Sequence, residues 1–277
     1  MDDGSKDGTA GVLRTFGDSI FSAILPMNGG ACAARNHGAS LAKGKYLVFL
    51  DGDDVLTPWT LDVYSRIIDA QSPKIILGKC LVCEKIPVPA RGNSPREIRF
   101  VDYRDFLSKD RPWVYNSSCL VVERAAFAAT DGWSPSIFFQ DIQDLLNKLG
   151  VAGKTALILT PVTVWYRMHN SNAILKVPSF IQGIYTLLAR AKAGVYPGGA
   201  KYNTRRASWF GGLIYYWVKK SLRTGHYRDG FRLLLTGWWM ILLAIVHRAV
   251  ARIFGRKRVE ILQLEHEQRS EPVLAIH

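Results

Sequence analysis

Apolar and polar positions alternate in short blocks through the first 175 residues. Residues 46–50, YLVFL, are an unbroken apolar run of strand length, the pattern of a strand buried on both faces in a parallel sheet. Similar blocks predict strands at 19–25, 74–82, 116–122 and 156–165. Helices are predicted at 11–16, 31–43, 59–70, 123–129 and 141–149; in the last, Ile142, Leu145, Leu146 and Leu149 recur at helical spacing. Residues 100–107 read as a short helix, and 86–97, with three prolines, Gly92 and Asn93, as a loop. Strands interleaved with helices predict an α/β fold.

Beyond residue 175 the pattern changes. Residues 178–192 predict a helix, and Pro197, Gly198 and Gly199 break it. Two apolar blocks rich in Trp and Tyr follow, within 205–223 and at 233–246. Each is shorter than the ~20 residues that span a bilayer, and Arg and Lys flank both. They predict helices lying in the plane of an anionic membrane surface, with Arg248, Arg252 and Arg256 on one helical face. The alternative is a helical subdomain packing its aromatic residues on the first domain. The tail from residue 259 is polar and expected to fray. The divisions are therefore 1–175, 176–258 and 259–277.

Charge sharpens this picture. The 277 residues carry a net charge of +13, which calls for an anionic partner. Between Arg190 and Arg258 there are fifteen Lys or Arg and one acid, Asp229. Aromatic residues there fall in apolar blocks rather than among the charges, which favours membrane over nucleic acid. The polar, acidic start predicts no signal peptide. Cys80 and Cys83 form a CxxC inside a strand pattern with no second ligand pair, so zinc is not expected and reduced, cytosolic thiols are.

Candidate chemistry clusters at loops. Asp51, Gly52, Asp53 and Asp54 follow the 46–50 run, where open α/β sheets bind ligands. Alternate carboxylates there can hold a divalent cation and, through it, a diphosphate; equally, they can cap the next helix ahead of Pro58. Upstream, MDDGSKDGT is a turn-rich acidic loop, and Gly29 and Gly30 in NGGACAARNHG precede a helix N-terminus suited to anions. Gln140 and Asp141 open the 141–149 helix, where an acid is ordinarily a cap. WYRMHN, 165–170, ends a strand with Arg167 and His169. Neither a P-loop nor a kinase pattern is present.

DDGSKDGT, then NGGACAARNHGASLAKGKYLVFLDGDD, resembles in content, order and spacing the family 2 glycosyltransferases, which have the GT-A-type nucleotide-sugar fold. The resemblance covers residues 1 to about 172 and implies a mixed sheet flanked by helices. It implies that Asp3 contacts the nucleotide base or ribose, that Arg35 and Asn36 lie beside the nucleotide, and that Asp51 faces the ribose or diphosphate. Asp53 would bind Mg²⁺ or Mn²⁺, with Asp54 as a supporting acid. QD before a helix is similar to the family's second motif, which makes Asp141 the catalytic base and Asp144 the fallback if the register slips; the family's usual Arg further along is replaced by Asn147 or Lys148. His169 would complete the metal shell, and Arg167 would neutralise diphosphate charge. The implied activity is inverting transfer from a nucleotide-sugar, UDP-sugars favoured, to a saccharide or lipid-linked acceptor. The implied setting is cell-envelope glycan synthesis at the cytoplasmic face of the membrane. The family's first strand and helix would lie upstream of DDGS, so a catalytically dead homologue acting as a membrane-bound scaffold is the alternative.

Overall fold

The computed structural model describes residues 1–87, 95–107, 112, 115–137, 139–170, 172–254 and 259–264. The strands form two sheets. The larger is built from β1 (Tyr46–Val48), β6 (Leu120–Glu123), β3 (Ile75–Leu77), β7 (Thr155–Thr160), β5 (Glu97–Tyr103) and β9 (Val259–Gln263), in that spatial order. It is mixed: β3 and β7 are parallel and the other neighbours antiparallel. The smaller sheet has the order β2 (Val55–Leu56), β8 (Val164–Arg167), β4 (Cys80–Cys83).

Helices cover both faces of the larger sheet, and alternate residues of each strand serve opposite sides. Ile75, Leu77, Leu120, Val122 and Leu157 point into a core shared with α2 (Ala31–Leu41), α5 (Asp141–Lys148), α6 (Val177–Lys192) and α7 (Ala200–Arg223). Ile76, Val121, Ala156 and Ile158 point the other way, onto Val63, Tyr64 and Ile67 of α3 (Thr60–Gln71). The short helices α1 (Thr9–Thr15) and α4 (Arg124–Ala128) and the long α8 (Tyr227–Phe254) complete the chain. The predicted α/β architecture, a mixed sheet flanked by helices with a helical C-terminal region, is what forms.

Two predicted strands are each cut in two, one half in each sheet. Residues 74–82 break at Gly78, where a Cβ would lie 2.5 Å from Thr163 Oγ1 and 2.7 Å from the Tyr64 hydroxyl. Only glycine fits that crossing. Residues 156–165 break at the Thr160–Pro161 bond. The 19–25 strand is reduced to a single parallel bridge between Asp2 and Ile24.

Three other expectations are corrected. The predicted helix at 100–107 is mostly strand β5, because β7 and β9 flank it and satisfy its backbone groups; only 104–107 turn away. The tail does not fray at 259: Val259–Gln263 form β9, which pairs antiparallel with β5. The apolar block at 233–246 is part of one continuous helix, α8; its stretch Tyr227–Ile253 is long enough to cross a membrane, and its most apolar 18 residues, of mean hydropathy 1.7, are apolar enough.

Candidate active site

The DGDD turn joins β1 of the larger sheet to β2 of the smaller, so its carboxylates lie at the junction of the two sheets. Arg35, on α2, organises them. Its Nη2 donates to Asp51 Oδ1 (2.5 Å) and to Ser117 Oγ (3.2 Å), and its Nη1 donates to Asp141 Oδ2 (2.6 Å). The guanidinium lies over the Trp133 ring at 4.6 Å, which fixes its plane. Ser117 Oγ donates to the other Asp51 oxygen at 2.7 Å, and the Asp51 amide donates to Ser118 Oγ at 3.1 Å. One arginine thus bridges carboxylates 90 residues apart in sequence.

Asp141 is the first residue of α5, and its Oδ1 accepts the amide of Ile142 at 2.8 Å. Burial raises its pKa above the ordinary aspartate range, and the Arg35 charge pulls it partly back. The thiol of Cys32 donates to the same carboxylate at 3.7 Å; burial, and then the Asp141 charge, push this thiol up to about 12, so it stays protonated.

Asp53 and His169 come together although 116 residues separate them: His169 Nε2 lies 3.0 Å from Asp53 Oδ2, and both side chains are partly exposed. Asp54 plays the supporting part. It is buried, accepts from Ser118 Oγ (2.5 Å) and from the Arg167 amide (3.1 Å), and so ties the DGDD turn to the turn ahead of β6 and to β8. The Arg167 side chain is exposed at the end of β8. A carboxylate and an imidazole converging at a solvent-open edge fit a partial ligand set for Mg²⁺ or Mn²⁺, whose remaining positions water and phosphate oxygens would fill. Among the described residues no third Asp, Glu, His or Cys joins them in a cluster.

Other predicted residues have supporting contacts. Asp3 accepts from the amides of Gly29 (2.9 Å) and Gly30 (2.8 Å), which holds the turn from which α2, with Arg35, begins. Asn36, expected beside the nucleotide, has its side-chain amide on the Trp133 backbone, accepting from N–H at 2.9 Å and donating to C=O at 2.8 Å. Asp144, the fallback base, is fully buried and accepts from Ser134 Oγ and the Tyr196 hydroxyl, both at 2.7 Å, beside Lys148 and Arg190. It is a structural hub and cannot reach an acceptor. Lys148, standing near the family's usual arginine position, donates to Gly132 C=O and Ser134 Oγ and pairs with Asp131.

A cleft of about 460 Å³ opens between Asp51 and Asp141 on one side and aromatic residues on the other. Phe180 of α6 and Trp217 of α7 stack there, with ring centroids 4.4 Å apart, and Tyr216 lines the same wall. Sequence reasoning missed these aromatics, and also Ser117, Ser118 and Trp133. The strand expected over 116–122 includes Ser117 and Ser118, whereas they form a 3-10 turn ahead of β6.

Residues 1–129 match the model of glycosyl transferase family 2. The match covers a little under half of the 277 residues. An uncharacterized glycosyltransferase of Rickettsia prowazekii is 34% identical over 80 residues, 29% of this chain and 25% of that protein. TuaG of Bacillus subtilis, whose name assigns it to teichuronic acid biosynthesis, is 40% identical over 57 residues, 20% of this chain and 23% of that protein. The matches thus span about a quarter of these curated relatives. Among solved structures, residues 1–349 of S. aureus TarS in complex with UDP-GlcNAc align with a TM-score of 0.62 at 13% identity, over 96% of this chain and 87% of that one. The mannosyltransferase PcManGT of Pyrobaculum calidifontis, in complex with GDP-Man and Mn²⁺, aligns with a TM-score of 0.50 at 13% identity, over 92% and 77%. The fold is the GT-A type.

Proposed function

We propose that this chain transfers a glycosyl group, with inversion, from a nucleoside-diphosphate sugar to an acceptor hydroxyl in cell-envelope glycan synthesis. The observation that carries this reading is the convergence of Asp51, Asp141 and the Asp53–His169 pair at one sheet junction, next to an aromatic cleft. Asp141 is the base. It takes the acceptor proton as that oxygen forms a bond to the anomeric carbon, while the bond from that carbon to the diphosphate breaks on the opposite face. Arg35 holds Asp141 and Asp51 apart and correctly turned until substrates enter.

Asp53 and His169 would hold Mg²⁺ or Mn²⁺, which supplies charge neutralisation for the departing diphosphate. Arg167, exposed beside them, adds a positive charge on the same side. The aromatic wall suits the apolar face of a sugar ring, so the acceptor is a saccharide, free or lipid-linked. A UDP-sugar is the favoured donor, supported by the fold shared with a UDP-GlcNAc complex; the GDP-Man complex on a similar fold makes a GDP-sugar the comparison to run.

Titration calorimetry of UDP and of GDP, with and without Mn²⁺, tests the donor site. Metal-dependent binding of one nucleotide is expected, and binding of neither by a folded sample overturns the reading in favour of an inactive scaffold. Asp141→Asn is expected to bind donor like the parent and to lose turnover by 10²-fold or more, the usual scale of general-base catalysis. An unchanged rate removes Asp141 from its role.

A further inference from the structure

α7 and α8 form a tight antiparallel pair. At Gly211 a Cβ would lie 1.8 Å from the Met240 carbonyl oxygen, and at Gly237 another would lie 2.4 Å from Ile214 Cδ1, so the helices touch almost backbone to backbone. The two helices differ in what surrounds them. Trp209, Phe210 and Trp217 of α7 are buried in the core beneath the sheet, which corrects the expectation that the 205–223 block lies on a membrane. α8 is covered on one side only. Leu233, Ile241 and Ala244 face inward, while Phe231 (60% exposed), Leu235 (60%), Trp238 (55%) and Leu242 (53%) recur at i, i+4, i+7 and i+11 on the outer face. Trp239, Ile245 and Val246 widen the stripe. A helix apolar all round calls for apolar cover all round.

The charges around the stripe select what covers it. No Asp, Glu, Lys or Arg occurs between Arg232 and Arg248. Arg228 and Arg232 flank one end, Arg248 and Arg252 the other, and Asp229 is the single acid in the helix. A second copy laid on this face would bring arginines against arginines. An anionic lipid surface would take the stripe into its acyl boundary and the arginines onto its headgroups, with tryptophan at the depth it prefers.

The topology decides the orientation. The 28 residues of α8 run about 42 Å. Its start is held by α7, and only four residues after its end the chain pairs as β9 with β5 in the main sheet. Both ends are therefore fixed to one body, which a helix crossing ~30 Å of hydrocarbon cannot satisfy. We infer that α8 docks in the plane of an anionic membrane through the Phe231–Leu235–Trp238–Leu242 face, and does not span it. α7, whose Trp217 lines the catalytic cleft, then ties that cleft to the membrane surface.

Co-sedimentation of the full chain with phosphatidylcholine vesicles, with or without phosphatidylglycerol, tests this without any donor or turnover. Binding at least tenfold stronger to the anionic vesicles is expected, falling with salt. Leu235→Glu with Leu242→Glu is expected to abolish it while nucleotide binding by calorimetry is unchanged. Arg228→Gln with Arg232→Gln, exposed positions that leave packing alone, should weaken it several-fold. Phe21→Glu, at an exposed apolar residue outside α8, should leave it intact. Three results overturn the inference: a chain that stays in solution with anionic vesicles, a dimer that the Leu235 and Leu242 changes dissociate, or a vesicle-bound chain whose two α8 ends are protected from protease on opposite sides.

Discussion

At the scale of single residues, Arg35 organises the candidate site. It pairs with both the carboxylate assigned to the donor and the carboxylate assigned to the acceptor. As the proposed base, Asp141 can work only when ionised, and burial raises its pKa, so activity should fall with decreasing pH at a point above the ordinary aspartate range. Arg35 opposes that shift. In Arg35→Gln the acid limb of kcat/KM against pH should therefore move further up. The rate itself should drop by about 10- to 100-fold, the worth of one charged hydrogen bond. A limb that stays in place would show that the pair does not set the protonation of Asp141. Arg35 and Asp141 were both legible in sequence as motif members. Their contact was not, because nothing local in either motif encodes a partner a hundred residues away. Asn36, the adjacent motif residue, holds the Trp133 backbone with its side-chain amide, a contact that no local pattern encodes either.

Among elements, α5 is the joint. Asp141 at its start faces the cleft, and Asp144, one turn on, is buried among Ser134, Lys148, Tyr196 and Arg190. That hub fastens α5 to α6 and to the 131–134 loop, which in turn carries Trp133 under Arg35. Asp144→Asn keeps the shape but leaves Lys148 and Arg190 short of a counter-charge. It should destabilise the fold by about 3–5 kcal/mol, read as a lower denaturant midpoint at unchanged m-value. A neutral effect would mean that Asp131 alone satisfies Lys148. Helical periodicity revealed α5 in the sequence, yet the division of labour between its two acids depends on what packs against each turn.

Over the whole molecule, helices α6 and α7 share the hydrophobic core beneath the larger sheet. Ile181, Ile184 and Leu187 of α6 and Trp209, Leu213 and Trp217 of α7 share one buried cluster with Leu145, Leu146 and the sheet. A chain cut after residue 175 should therefore lose cooperative unfolding, since each large apolar side chain left uncovered forfeits about 1.5–3 kcal/mol. Calorimetry of the two chains checks this: one transition in the whole chain and none in the shortened one. A sharp transition in the shortened chain would make residues 1–175 an independent domain.

The sequence alone was enough for the α/β class, most helices, the acidic turn after residue 50, Asp141 at a helix start and the basic, aromatic C-terminal half, because each is written in local spacing and composition. Strand β5 was misread as a helix, β9 as a loose end, and two strands were seen as single where each crosses between sheets. Strand pairing is non-local: β5 is a strand because β7 and β9 lie beside it, and Gly78 is a crossing because Thr163 and Tyr64 crowd it. The same holds for the two aromatic blocks near the C-terminus, alike in composition. Tertiary packing alone decided that α7 fills the core and forms the cleft wall while α8 keeps an apolar face to the outside, since burial depends on which neighbours the fold brings and not on the residues being buried.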